Sequence, residues 1–426
     1  MKPSLLFAAL FLSGSWLAWG GESIKPDIVV AKDGSGDFTT IQAAVASIPS
    51  TNRERMIIFV KNGVYHEKVR VDASFVTLRG EGRAATRVEF PQLNDDFSKH
   101  PDKLGRAVIN VNGNDFVLED LTAENTAGII GPHAFTVFGR GDRTVIVDCD
   151  VLSHGADTVS LWRGDSGRYY HARCRFEGSV DFVCPRGWCY ATDCSFYELK
   201  ATAAVWHDGR VNEDMKFVMR NCSFNGVEGF NLARHHVDAQ FYFINCTFSQ
   251  TMNDKAPFRV IYPLDGSTPS AADIQKNRNL DKSNLWGERS YFYNCHREGG
   301  DYAWFTNNLS SAAGAPTPDR VTAAWTFAGK WNPENIAGPT IRQVNAGNGK
   351  SEMTFSESVT VKGKPRLALS GGGFASYLSG SGSDMLSFAV PENSSGAVTS
   401  VDLNGGAIIA TEADATLRPA VLTLPQ

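Results

Sequence analysis

Charge is scarce in this chain: Asp, Glu, Lys and Arg make up 20% of 426 residues, with a formal balance of −5. A mildly acidic surface excludes nucleic acid as the natural partner, since that requires a basic face. Long apolar runs are scarce too. The one candidate, Leu5-Leu6-Phe7-Ala8-Ala9-Leu10-Phe11-Leu12, is too short to span a bilayer. No second ligand pair at zinc spacing accompanies the cysteines, which excludes a structural zinc site. Residues 346–426 contain no Cys and no cluster of acids or histidines, so chemistry is not expected there.

What is present points to export and to β-structure. Met1-Lys2 followed by that apolar run and by the small residues Ala18 and Gly20 predicts a signal peptide over residues 1–20. Its removal takes away one Lys and moves the formal charge to about −6. The expected location is therefore secreted or periplasmic. No Cys near residue 20 offers a lipid anchor, and no membrane span remains after cleavage. Forty glycines and 26 phenylalanines suit a turn-rich, strand-rich fold.

A period of about 24 residues runs through the middle of the chain. Asp148-Cys149-Asp150, Arg173-Cys174-Arg175, Asp193-Cys194-Ser195, Asn221-Cys222-Ser223 and Asn245-Cys246-Thr247 recur at intervals of 25, 20, 28 and 24, and the last four continue into Phe176, Phe196, Phe224 and Phe248. This alternation reads as one strand per coil of a parallel β-solenoid, with a column of free, buried thiols inside. Cys184 and Cys189 stand apart in a loop-like sequence that could close a local disulfide. His133, Asp157 and Asp181 are each 24 residues apart. At that spacing the two carboxylates face one side on adjacent coils, about 4.8 Å from coil to coil. Stacked acids repel, so the arrangement argues for chemistry.

At the N-terminus, Thr39 with Gln42 predicts a capping box, and Ile41, Val45 and Ile48 predict a short helix that ends before Pro49. Such a helix would cover the open end of the solenoid. Strands are expected at Ile28–Val30, Met56–Val60, Val69–Val71, Val76–Leu78, Ala107–Val111 and Phe116–Leu118, and residues 250–290 as an irregular excursion. From residue 346, short alternating strands between Gly-Ser clusters predict a small β-sandwich-like domain. The expected division is signal peptide 1–20, solenoid 21–345 and accessory domain 346–426.

Short motifs stand in order along the chain: Asp33-Gly34-Ser35-Gly36-Asp37-Phe38, Gly63-Val64-Tyr65-His66-Glu67, Glu124-Asn125-Thr126-Ala127-Gly128, Ala156-Asp157-Thr158-Val159, Gly178-Ser179-Val180-Asp181-Phe182 and Leu232-Ala233-Arg234. By these motifs residues 27 to about 305 resemble the pectin methylesterases. The resemblance implies an all-β, right-handed parallel β-helix and a secreted carbohydrate esterase acting on methyl esters of galacturonate-containing pectic polysaccharide, with no metal or organic cofactor. Residue by residue it implies Asp181 as nucleophile, Asp157 as general acid and base, and Arg234 holding Asp181 ionised at low pKa. The family has Gln, donating to the oxyanion, where this chain has His133 and Ala156; a histidine can donate and an alanine side chain cannot. The family's platform Trp after the Arg is replaced by His235-His236. Trp162 and Trp206, with His133 and His235, are the expected substrate-binding residues.

Two other classes compete with this reading. A non-catalytic pectic-glycan-binding β-helix has no use for stacked carboxylates. A lyase would need acidic calcium ligands, and an inverting glycosidase carboxylates about 6.5–9.5 Å apart, wider than one coil step. Within the esterase class, the Ala156 departure leaves open a branched or acetylated pectic substrate. The expected partner is the polysaccharide alone, with the protein a monomer.

Overall fold

The computed structural model describes residues 26–209, 212–334, 339, 341–347, 349–392, 396–404, 406–411, 422 and 424. The signal-peptide expectation at residues 1–20 lies outside them. Most of the chain winds into coils that place one strand in each of three parallel sheets, of ten, eight and nine strands. Each coil thus has three strands, where the Cys-Phe period alone suggested one.

The missing strands follow from what the polar residue before each Cys does. Asp148, Arg173, Asp193, Asn221, Asn245 and Asn294 all have φ between 48° and 54°, the left-handed region that bends the chain sharply. They are corners between the ten-stranded and nine-stranded sheets. Asn is among the residues that tolerate this conformation best. Here it also forms a ladder: Asn245 Nδ2 donates to Asn221 Oδ1 at 3.2 Å and Asn294 Nδ2 to Asn245 Oδ1 at 3.0 Å.

Behind each corner the thiol points inward. Cys174, Cys246 and Cys295 donate to the carbonyls of Ile146, Met219 and Phe243 on the preceding coil, at 3.2–3.3 Å. Beside them Phe176, Phe196, Phe224 and Phe248 stack with centroid separations of 5.4, 4.5 and 5.5 Å. All eight cysteines are buried and free, which overturns the local disulfide. Cys184 lies on the Val183–Pro185 strand and Cys189 on Trp188–Thr192, in different sheets.

The N-terminal helix is present at Ile41–Ala46, with Ile41, Ala44 and Val45 buried over the first coils. Its cap is Thr40, which accepts from Ala43 N, rather than Thr39. Gln42 makes no capping box; its Oε1 accepts from Arg70 N at 2.6 Å and ties the helix to the sheet. The excursion at 250–290 contains a helix, Ala271–Asp281, with a Ser270–Asp273 capping box and no buried residue. A helix without an apolar face leaves no periodicity to detect.

The outer faces of two sheets differ in what covers them. Leu309, Val321, Ala323, Phe327 and Trp331 pack over Tyr170, Tyr190, Val218 and Tyr242, covering the outside of the ten-stranded sheet. On the eight-stranded sheet Val137, Val159, Val183, Val205 and Ala233 point into the core. The alternate residues Phe138, Ser160, Cys184, Trp206, Arg234 and Phe258 form an outward column, one per coil. The C-terminal strands, expected as a sandwich, form one seven-stranded antiparallel sheet. Its long strand, Lys350–Lys362, pairs first with Ser383–Ala389 and then with Ala407–Ala410, its register shifting between Thr354 and Val359. These strands share their own core around Met353, Phe355, Leu367 and Phe388.

Titration of the denatured, unreduced protein should find eight reactive thiols and the native protein almost none. A denatured count of six or fewer would mean a disulfide that this fold does not contain.

Candidate active site

The outward column of the eight-stranded sheet forms the floor of an open cleft of about 130 Å³ lined by His133, Asp157, Trp162, Asp181, Cys184, Arg186, Trp206 and His236. Asp157 and Asp181 each stand two residues before a strand and are held at φ 61° and 57°. A non-glycine residue in this region carries local strain that the surrounding structure must hold. The coil registers agree here: Val159 pairs with Val183, 24 residues on, so the two carboxylates are stacked as their spacing predicted. His133 departs from that register. Its backbone bridges Ala156 rather than Asp157, an offset of 23, and the strand that follows pairs at 22, Val137 to Val159. Its half-exposed imidazole nonetheless leans over the acid, Nε2 lying 3.9 Å from Asp157 Oδ1.

The two carboxylates have different partners. Arg234 grips Asp181 with both arms, Nε to Oδ1 at 2.8 Å and Nη2 to Oδ2 at 2.7 Å, the fork geometry that suits a carboxylate. Asp157 accepts from the neutral Ser160 hydroxyl at 3.1 Å, with the Cys184 thiol beside it. Both acids are less than 10% exposed. Burial lifts Asp181 from 3.8 to about 6, against the guanidinium, where the sequence led us to expect a low value. The ion pair offsets desolvation without overcoming it. Burial raises Asp157 as well, opposed first by the nearby His133.

Of the remaining expected residues, Trp162 and Trp206 both line the cleft, but His235 does not. Strand alternation turns it inward, where it is 3% exposed and bonded to Val237 O and Glu288. His236 faces the cleft instead. Its Nδ1 accepts from Trp206 Nε1 at 2.8 Å, so the ring proton sits on Nε2 and is donated to Tyr262 Oη at 2.9 Å. Burial holds His236 down at about 4, which keeps this relay neutral.

Sequence reasoning missed three further residues. Arg186 is sandwiched between the two tryptophans, 4.1 Å from the Trp162 ring and 5.2 Å from that of Trp206. Cys184 contacts Ser160 Oγ at 2.8 Å, behind Asp157. Glu198, fully buried, accepts from Val180 N at 3.2 Å and Lys200 N at 2.9 Å. It thereby holds the left-handed pair Val180–Asp181 from below. An alternation count would place Cys184 and Arg186 on the side of Ser160, but no motif marks Glu198.

Burial lifts Glu198 from 4.5 to about 9, and its Oε2 has no hydrogen-bond partner among the described residues. This acid takes up a proton on folding, so stability falls as pH rises between about 4.5 and 9. Glu198→Gln keeps the accepting oxygen and removes the titration. Its melting temperature relative to the parent should therefore climb across that interval. A difference that stays flat with pH would mean that Glu198 does not carry the proton.

The pectinesterase family model matches residues 27–251. Among curated relatives, the chain is 31% identical to Pectinesterase 2 of Arabidopsis thaliana over 226 residues, half of this chain and 37% of that one. It is also 31% identical to a pectinesterase of Petunia integrifolia over 206 residues, 46% of this chain and 53% of that one. The chain thus spans about half the length of these relatives or less. Among solved structures, the pectin methylesterase from carrot superposes with a TM-score of 0.52 at 21% identity, over 67% of this chain and 86% of that one. Pectin methylesterase PemA from Erwinia chrysanthemi gives 0.55 at 18%, over 72% and 98%; at such identities the likeness is one of fold. The matched stretch covers more than half of the chain and includes both stacked carboxylates and Arg234, and on that ground the protein belongs to the pectinesterase family.

Proposed function

We propose that this protein is an exported esterase that hydrolyses methyl esters of galacturonate units in pectic polysaccharide. The observation that carries the reading is the unequal pair in an open cleft: Asp181 gripped by both arms of Arg234, Asp157 bonded to neutral side chains, the Ser160 hydroxyl and the Cys184 thiol. Such a pair supplies an ionised nucleophile beside a protonated acid. Asp181 attacks the ester carbonyl and the carbonyl oxygen becomes an oxyanion. Asp157 protonates the departing methoxy oxygen, releasing methanol and leaving an acyl–Asp181 anhydride. A water then gives its proton to Asp157 and its oxygen to the acyl carbon, which returns Asp181 as carboxylate and Asp157 as acid. No step calls for a metal or organic cofactor. None of the described residues of the C-terminal sheet lines the cleft, and we read it as an attachment module.

Oxyanion stabilisation rests on His133, whose exposed ring is free to donate. Ala156 offers no side-chain donor, and its backbone N–H is bonded to Pro132 O at 2.9 Å. This gap favours, as a second reading, a branched or acetylated pectic substrate whose own hydroxyl completes the site. Methanol and acetate release from a panel of methylated and acetylated pectins separates the two. Acetate without methanol would sink the methyl-ester reading.

Asp157→Asn and Asp181→Asn should each lower kcat by at least about 10³-fold, and the double change by little more, because the two groups act as one unit. Wild-type kcat should fall on the acid side with a midpoint near 6, as Asp181 takes up its proton. Arg234→Gln removes the group that favours its ionised form and should move that limb to higher pH. An acid limb unmoved by Arg234→Gln would take the nucleophile role away from Asp181.

His133→Ala should cost about 10²-fold in kcat, the usual effect of a lost oxyanion donor, while His133→Gln retains most of the activity. Ala156 is buried and its strand neighbour is His133, so the missing amide is best installed together with His133→Gln. The paired variant should turn over plain methylated homogalacturonan faster than His133→Gln alone. Equal rates would dismiss Ala156 as the weak point.

A further inference from the structure

Two buried neutral side chains close the cleft floor behind Asp157. Ser160 and Cys184 are partners across adjacent strands, Val159–Leu161 and Val183–Pro185. Ser160 is fully buried and Cys184 is 2% exposed. Ser160 Oγ lies 3.1 Å from Asp157 Oδ2 and 2.8 Å from Cys184 Sγ. Asp157 turns its other oxygen, Oδ1, toward His133, whose Nε2 is 3.9 Å away.

The supply of protons fixes the direction of these bonds. A hydroxyl and a thiol each carry one. An ionised carboxylate accepts far better than a sulfur, so the Ser160 proton goes to Oδ2. The sulfur in the 2.8 Å contact is then the donor. Its proton meets Ser160 Oγ or the carboxylate itself, both of which the thiol adjoins. Burial holds the Cys184 thiol well above its usual range, which keeps that proton on sulfur. Val159 O, at 3.5 Å, is the weaker alternative acceptor. Both protons thus approach Asp157 from one side.

The geometry points to Cys184 and Ser160 as positioning residues that reserve Oδ2 of Asp157 as an acceptor and leave its transferable proton on Oδ1, the oxygen turned toward His133. The inference rests on the esterase reading for the use made of that proton. A proton on Oδ2 would turn the Ser160 hydroxyl back toward sulfur, exchanging a strong bond for a weak one. With the proton on Oδ1, Asp157 gives it to the methoxy oxygen and later takes one from water at the same atom. Oδ2 keeps its bond in both charge states.

Two readouts on the whole protein test it. The first needs no substrate: the isotope-labelled carboxyl carbon of Asp157, assigned by its loss in Asp157→Asn, is titrated by NMR. Donors favour the ionised form, so removing one should raise the midpoint. Ser160→Ala should raise it most and Cys184→Ala less, while Cys184→Ser, which restores a donor, should return it toward wild type. His133, Asp181, Arg186 and Arg234 also face Asp157 and stay unchanged in every variant. The second readout is the pH profile of methanol release. Ser160→Ala and Cys184→Ala should lower kcat about tenfold, with KM little changed. They should also carry the alkaline limb, where Asp157 gives up its proton, to higher pH. Cys184→Val occupies the space without a donor and should behave as Cys184→Ala does. A midpoint that stays or falls in Cys184→Ala would mean that sulfur is not the donor, and full activity in Cys184→Val would reduce the thiol to packing; either overturns the inference. The expected midpoint shifts in a protein that releases no methanol would uphold the proton placement and remove the esterase reading.

Discussion

Everything in this molecule depends on coils lying in register, and the register depends on a backbone corner. At the turns out of the ten-stranded sheet from Asp120 to Asn294 one residue adopts φ between 48° and 56°, and from Asp148 onward the following Cys is thrown inward. Ladder hydrogen bonds between parallel strands fix the spacing from coil to coil, and the period-two alternation of each strand then divides its residues into core and surface. The same corners carry the Asn ladder on the outside and the thiols on the inside. Repetition makes both columns continuous, so a side chain placed outward on one coil is placed outward on the next. The cleft is a consequence: its floor is one such column.

The column is accessible because of what covers the other faces. The segment through Leu309, Phe327 and Trp331 covers the ten-stranded sheet, and the helix at Ile41–Ala46 closes the first coils. On the exposed face the chain sets two acids one coil apart and gives them unequal company. Desolvation drives both toward the protonated form; at Asp181 a hydrogen-bonded guanidinium resists it, while at Asp157 the opposition comes first from His133 and more weakly from Arg186. The asymmetry arises from a single side chain far along the sequence, brought over Asp181 by strand stacking. Glu198 contributes from beneath, holding the strained turn that aims the nucleophile without adding a competing charge.

Much of the architecture was legible in the chain because it repeats. The Cys-Phe period exposed the solenoid, and equal spacing of Asp157 and Asp181 placed them on one side, since their coil has the same length in strand and turn. The reading went astray where the period is uneven or where two conformations share a composition. His133 sits at the same arithmetic distance, yet its coil is one residue shorter at that point and two shorter along the strand that follows, so it meets Ala156. Polar residues flanking Cys looked like strand, although the first of them is a corner. Cys184 and Cys189 looked like a loop pair because sequence proximity does not reveal that a sheet boundary separates them.

By itself the sequence determined the coil, the phase of its repeats and the identity of the acids, because each of these is a local preference multiplied over many turns. Tertiary structure alone decided the electrostatics and the neighbours. That Arg186 lies between two tryptophans, that His236 rather than His235 faces the cleft, and that Asp181 is raised despite its arginine are outcomes of burial and stacking. Those quantities depend on residues tens of positions apart meeting in space, and no local pattern encodes the distance at which they meet.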